Sequence, residues 1–257
     1  MEKFIDDKVY YKIFDRSFKQ SSHIYNKKSK FNQLVPAEEV KANKQSVINY
    51  FAATNVLILQ QVHGNKIIDT DLGVDFNLEA DGAVTTQEGL VLAIQTADCV
   101  PILLSSDNGK VIGAAHCGWR GAKANIVHNL VNLMKQKWAS NIKALIGPAI
   151  QQSSYEVDQE YFIGFIKENP ENAVFFIDSP RPHHYMFDLP SYVELKLKQA
   201  GVENIVRMTD DTYSMPERYP SYRRSCHSTE EYRQNILSTI VIARNDASPP
   251  LSINKNS

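Results

Sequence analysis

Residues 90–120, LVLAIQTADCVPILLSSDNGKVIGAAHCGWR, decide how this chain is read. Asp107, Asn108 and Gly109 are a tight-turn signal, because Asn-Gly fits the positive φ angles of a hairpin turn. The flanking residues are mostly aliphatic and small, as in strands buried on both faces. The stretch is therefore expected to be two apolar strands joined by that turn. Such strands have little reason to carry a thiol, a carboxylate and an imidazole. Yet Asp98 and Cys99 interrupt the first strand and His116 closes the second, before a Gly-Trp-Arg-Gly turn (Gly118 to Gly121) leads into a helix. Metal-competent groups at the ends of buried strands point to a site.

Working towards the N-terminus, 80–85 (ADGAVT), 66–70 and 56–62 read as strands, the last ending at His63-Gly64. Val40, Val47, Ile48 and Phe51 recur at helical spacing in a helix opened by Pro36, with Glu38 and Glu39 suited to its positive end. Residues 9–14 form a strand and the polar stretch 15–32 a loop. Towards the C-terminus, Ile126, Val127, Leu130, Val131, Met134 and Trp138 make one apolar stripe, so that helix is expected to cover the sheet. Further strands are read at 142–146, 173–177, 202–208 and 236–243, and helices at 161–166 and 192–200, the latter capped by Gly201. The mixed order favours one α/β or α+β domain over 36–244. The N-terminal strand and variable loop of 1–35 belong to it, and 245–257, with Pro249-Pro250, is expected to be a disordered tail.

A chain of 257 residues with 43% hydrophobic and 22% charged residues has the composition of an ordinary globular protein. A net charge of −1 leaves no electrostatic footprint for nucleic acid or membrane. No apolar run reaches ~18 residues, the opening MEKFIDDKVYYKIF lacks a signal-peptide core, and three cysteines make no disulfide framework. The cytoplasm is the default compartment.

His63, Cys99 and His116 each fall at an expected strand end, and His-Cys-His matches a zinc site with three protein ligands and an open fourth position. Their intervals match no local metal motif, so three unrelated core residues fit the spacing equally well. Cys99 is either a zinc-bound thiolate or a nucleophile paired with His116. Asp81 and Asp98 can orient a histidine, although Asp81 also suits the turn before Gly82. Arg120 and Arg223, with Arg224 beside it, are anion candidates. Trp119 either stacks on a base or anchors its turn in the core. Glu156 is an acid–base candidate, and Tyr155 is read as packing. Cys117, Cys226, His23, His128, His183, His184 and His227 are read as ordinary residues, the histidines on the surface or in loops.

Six motifs occur in order: QVHG (Gln61 to Gly64), ADGAVT (Ala80 to Thr85), TADCVP (Thr96 to Pro101), HCGWRG (His116 to Gly121), GPAI followed by YEV (Gly147 to Ile150, Tyr155 to Val157), and SYRR (Ser221 to Arg224). Together they resemble the YfiH family, also called the laccase-domain or polyphenol-oxidase family, from about Val40 to Ile242. The resemblance implies a single-domain α+β sandwich of mixed β-sheets flanked by helices. It also implies zinc-dependent purine nucleoside phosphorylase and adenosine deaminase activity, with His63, Cys99 and His116 as metal ligands. The implied partners are a nucleoside and phosphate, bound by a monomer or weak homo-oligomer. The chain departs from the pattern in having no glycine across 15–29, and in Lys44, Cys117, Asp211-Thr212 and Tyr232-Arg233.

Two other chemistries compete. A copper polyphenol oxidase is the older label, but a multicopper oxidase needs many more histidines than the seven here, which include no His-x-His pair. A metal-free cysteine hydrolase would use Cys99. H-E-x-x-H, Walker A, G-x-S-x-G and the nucleobase-deaminase signature are all absent.

Overall fold

The computed structural model describes residues 2–5, 8–18, 37–73, 78–228 and 234–245. Strands β1 (Glu2–Ile5) and β2 (Val9–Phe14) precede helix α1 (Ala37–Phe51) and strands β3 (Asn55–Ile58), β4 (Ile67–Asp69) and β5 (Gly82–Thr85). The central stretch supplies β6 (Leu90–Thr96), β7 (Val100–Ser105) and β8 (Ile112–Cys117), then α2 (Trp119–Lys123) and α3 (Ile126–Gln136). After β9 (Lys143–Ile146) come β10 (Glu156–Asp158), α4 (Gln159–Ile166), β11 (Phe176–Asp178), β12 (His184–Phe187) and α5 (Leu189–Gln199). Strand β13 (Asn204–Arg207), helix α6 (Tyr222–His227) and β14 (Ile236–Ile242) complete the order.

A five-stranded sheet, β1-β2-β14-β6-β3, faces a six-stranded sheet, β13-β9-β7-β8-β5-β4, and both mix parallel with antiparallel pairs. Leu57, Leu92, Ile94 and Ile240 of the first pack with Ala83, Leu103, Ala114 and Leu145 of the second. Val47 and Phe51 of α1 cover the outer face of the five-stranded sheet. The stripe of α3 and the buried face of α5 cover the other sheet through Ile102, Leu104, Ala144 and Ile146. Both central layers are thus apolar on two faces, which explains why β7, β8 and β14 are buried at every position. The result is the α+β sandwich of mixed sheets flanked by helices. Among the described residues, no helix is long and apolar enough to cross a membrane.

The central stretch departs from a simple hairpin. The turn at Asp107 to Gly109 joins β7 to β8 as expected, with Gly109 at a φ of 65°. The first strand, however, splits in two. Asp98 adopts a φ of 87°, and the chain crosses there from β6 in one sheet to β7 in the other. Continuous hydrophobicity concealed the crossing, because both halves are buried strands.

Three smaller expectations also change. Residues 170–175 form a 3-10 helix started by Pro170, so only Phe176–Asp178 of the expected strand pairs, within a small sheet β10-β12-β11. Trp138 lies past the end of α3 with a φ of 62° and is 91% exposed, because the chain turns before its position on the stripe is reached. His128 is half-buried on α3 and His184 lies in β12, not in loops. The expectations for residues 19–36, including His23 and Pro36, for Tyr232-Arg233 and for the tail beyond 245 fall outside the described residues.

Lys137, at the end of α3, straps β4 to that helix through ion pairs of 2.7 Å to Asp69 and to Asp71. Burial pushes the Asp71 carboxyl up, but hydrogen bonds from Lys137 and Thr86 outweigh it and hold it below 3.8. That stabilisation is complete above the ordinary carboxylate value and is lost as pH falls through the lowered one. Lys137→Met is expected to cost about 0.5–1 kcal/mol at neutral pH and to flatten the acid limb of the stability curve, as urea titrations between pH 2 and 7 would show.

Candidate metal centre

The three candidate ligands come from different parts of the sandwich. His63 follows β3, Cys99 sits on the crossing between the sheets, and His116 lies near the end of β8. Their ligand atoms all lie within 4.8 Å of one another. The two imidazole rings are 4.6 Å apart between centroids and nearly perpendicular, at 84°. His116 is buried, Cys99 half-buried and His63 exposed, so the trio opens to solvent on one side.

Asp81 builds this arrangement. Fully buried at the entrance to β5, its Oδ1 accepts from His63 N (2.9 Å) and lies 2.8 Å from His116 Nδ1. Its Oδ2 accepts from Gly64 N (2.7 Å) and Val62 N (3.2 Å). Three successive amides thus curl around one carboxylate, which holds His63 at a φ of 61°, a conformation disfavoured for a residue with a side chain. Because Nδ1 of His116 is taken by Asp81, Nε2 is the nitrogen left to ligate. Burial pushes the Asp81 carboxyl up, but the His116 contact and the Gly64 and Val62 amides outweigh it and hold it low.

The Gly-Trp-Arg-Gly turn closes over the trio. A Cβ on Gly118 would sit 3.0 Å from His63 Cδ2 and 3.1 Å from Cys99 Sγ, and one on Gly121 would sit 2.6 Å from the Gly64 carbonyl oxygen. Gly121 therefore cannot be enlarged while this backbone keeps its path, and a side chain at Gly118 would have to push the His63 ring and the Cys99 thiol aside by a few tenths of an ångström.

The electrostatics favour a thiolate. Burial raises the Cys99 thiol, but the His116 imidazolium and hydrogen bonds from both histidines outweigh it and lower it, while the same pairing with Cys99 and Asp81 raises His116 against burial. Cys117 is fully buried and pushed up by burial and by Cys99, so it remains a thiol. A His-Cys-His donor set with a carboxylate behind one imidazole fits zinc bound by three protein ligands.

Asp98, expected beside a histidine, serves another segment. Its carboxylate accepts from Thr212 Oγ1 (2.7 Å), Ser221 Oγ (3.0 Å) and Arg223 N (2.6 Å), which anchors the start of α6 to the crossing next to Cys99. Burial raises it, opposed first by the Arg223 amide. Ser221 also caps α6 by accepting from Arg224 N at 3.1 Å. Ser221 alone was the readable N-cap signal for this helix, since no acidic residue follows in its first turn.

The two arginines of that helix divide their work. Arg224 donates to the Thr212, Tyr213 and Tyr219 carbonyls and braces the loop. Arg223 donates through Nη1 to the Glu156 carbonyl (2.6 Å), and its guanidinium lies 5.1 Å from the Tyr155 ring centre. The Glu156 carboxylate is taken up by Ser179 (2.6 Å) and Arg181 (3.7 Å). Trp119 is half-buried against Tyr161 (4.9 Å), with the exposed Arg120 at 4.8 Å from its centroid, so it packs inward while one part remains accessible. Asp211 receives the Gln151 and Tyr213 amides and the Ser154 hydroxyl, which makes it a loop brace.

Residues 14–237 match a family model described as multi-copper polyphenol oxidoreductase laccase. A Rickettsia conorii protein named purine nucleoside phosphorylase is 53% identical over 242 residues, which are 94% of this chain and all of the relative. Purine nucleoside phosphorylase YfiH of Escherichia coli is 31% identical over 73% of this chain and 76% of its own length. The crystal structure of a Neisseria meningitidis protein aligns with a TM-score of 0.77 at 25% identity, covering 93% of this chain and 96% of that one. A Bacillus licheniformis hypothetical protein YfiH aligns at 0.69 and 26%, covering 80% and 81%. With the ordered motifs, the sandwich and the converging trio in agreement with these matches, the chain belongs to the YfiH family, the laccase-domain family whose model spans it.

Proposed function

We propose that this chain is a zinc-dependent purine nucleoside phosphorylase, cleaving adenosine or inosine to the free base and ribose 1-phosphate, with adenosine deamination as a second activity of the same centre. The observation that carries the reading is the convergence of His63, Cys99 and His116 within 4.8 Å, with Asp81 behind His116. The names of the relatives supply the substrate class. Held by these three residues, zinc would supply Lewis-acid stabilisation of developing charge at its fourth position.

The protein's own groups do the rest. In phosphorolysis a phosphate oxygen attacks the ribose anomeric carbon, the glycosidic C–N bond breaks, and the purine leaves with the electron pair and takes up a proton. Arg223 and Arg120 are the guanidinium groups to hold the phosphate. Asp98 fixes the backbone of Arg223, and Glu156 steadies its side chain through a carbonyl, so Glu156 serves here as a positioning residue. Trp119 offers a partly accessible aromatic surface for the base. Asp81 keeps His116 in the tautomer whose Nε2 has a free lone pair. Purified protein given adenosine and phosphate should release adenine, and inosine would reveal deamination. Neither product from protein holding stoichiometric zinc would end the nucleoside assignment.

A second reading has one observation behind it. The lowered Cys99 and raised His116 describe a thiolate–imidazolium pair, which is how thiol hydrolases activate a nucleophile. That reading requires activity to survive a chelator and to disappear on thiol alkylation. Copper stands further back, since the described residues hold one such three-donor group. Several coppers per chain with oxidation of a phenol would restore it.

A further inference from the structure

In the QVHG motif the histidine is the candidate ligand, and the glutamine two residues before it has a task of its own. Strand β3 runs parallel to β6 from Asn55 opposite Leu90 to Ile58 opposite Ala93, and then leaves it. Beyond that point the Gln60 backbone pairs with Glu79, its carbonyl accepting from Ala80 N at 3.2 Å, beside the segment that enters β5. The departing backbone is replaced at Gln95, the last residue but one of β6, by the Gln61 side chain. Its Oε1 accepts from Gln95 N at 2.8 Å and its Nε2 donates to Gln95 O at 2.7 Å. A primary amide carries the same donor and acceptor as a peptide group, so Gln61 continues the β3–β6 ladder where the main chain cannot.

We propose that Gln61 is a positioning residue for the metal centre, setting the place of His63 relative to Cys99. The proposal rests on the metal reading of the trio and supplies the one side of that triangle without a brace. Cys99 and His116 are set against each other by the β7–β8 pairing, in which Val100 and Pro101 lie opposite Cys117 and His116. Asp81 ties the His63 backbone to the His116 ring. Gln61, two residues before His63, grips Gln95, four residues before Cys99, and so ties the His63 loop to the strand that leads to the thiol. The two holds on the loop lie on different sheets, Gln95 in the five-stranded one and Asp81 at the entrance to the six-stranded one. A backbone at a φ of 61° persists only where its surroundings impose it, and these two holds do so from opposite sides.

The test is Gln61→Met, which keeps the length of the side chain and removes both hydrogen bonds, beside Gln87→Met as a control. Gln87 donates to the Thr70 carbonyl at 2.9 Å and follows the end of β5 opposite to Asp81. Zinc affinity measured by chelator competition should fall about tenfold in Gln61→Met and keep its wild-type value in Gln87→Met. Loaded with cobalt(II) instead, Gln61→Met should give a visible spectrum shifted from wild type, because the ligand field follows the angle between His63 and Cys99. In metal-free protein, amide exchange at His63 and Gly64 should quicken about tenfold, while the buried amides of β14 exchange at the wild-type rate. Wild-type zinc affinity and cobalt spectrum in Gln61→Met would overturn the proposal. So would an equal loss in Gln87→Met, or equally quickened exchange throughout β14, since Gln61 would then be a general stabiliser. Wild-type protein that binds no zinc would remove the metal reading itself, whereas wild-type binding with an unaffected variant overturns the role of Gln61 alone.

Discussion

Cys99→Ala, purified beside wild type, is expected to lose both the proposed metal binding and the proposed phosphorolysis. Cys99 is the thiolate of the trio, and two imidazoles alone make a much weaker site. Loss of a partner behind a ligand typically costs 10–100-fold in affinity or activity, so loss of the ligand itself should cost on the order of a hundredfold or more. The fold should survive, because Cys99 is half-buried and alanine preserves the backbone of the crossing. Elemental analysis of the two proteins is the deciding measurement. Wild-type metal content in the variant would place the ion elsewhere. A variant that loses activity while wild type carries no metal at all would favour the thiol hydrolase.

Asp81 gives the second large effect, and it separates an orienting carboxylate from a charge that merely sits nearby. Asp81→Ala leaves His63 N, Gly64 N, Val62 N and His116 Nδ1–H without their acceptor. Each buried donor left unpaired costs about 1–3 kcal/mol, and solvent can recover only those on the exposed His63 side. A net loss of about 3 kcal/mol is expected in denaturant titrations. Asp81→Asn is the sharper probe. Its amide nitrogen must face either the Gly64 and Val62 amides or His63 N and His116 Nδ1, so two donors meet a donor in both orientations. In the second orientation His116 is driven towards the other tautomer, with its proton on the nitrogen needed for the metal. Metal affinity measured by chelator competition should fall 10–100-fold in the asparagine variant. Undiminished affinity there would show that Asp81 shapes the turn without setting the imidazole.

Much of this architecture was legible in the residues. The stripe of α3 as far as Met134, the Asn-Gly turn and Gly201 with its φ of 87° each follow from local chemistry, and each stands at its expected position. The split between β6 and β7 was not legible, because an aliphatic run looks the same whether it stays in one sheet or changes sheets. Asp98 was the clue: an aspartate in a buried run is tolerable where the backbone turns left-handed and three donors await it. The trio shows the opposite case. Spacing left His63, Cys99 and His116 indistinguishable from chance, and the ordered motifs singled them out before their proximity could be measured. Glu156 shows a third. Its carboxylate suggested proton transfer, whereas its carbonyl is what reaches Arg223, and main-chain roles leave no trace in residue type.

The unequal burial of the trio has a kinetic consequence. His116 belongs to a strand enclosed on both faces, and Cys99 is pinned between two layers, so this pair forms a fixed anvil. His63 stands in water on a bent loop, closing the ring like a latch. An ion held by the trio as proposed should therefore enter and leave by way of His63, with a bound lifetime that follows how tightly that loop is drawn shut.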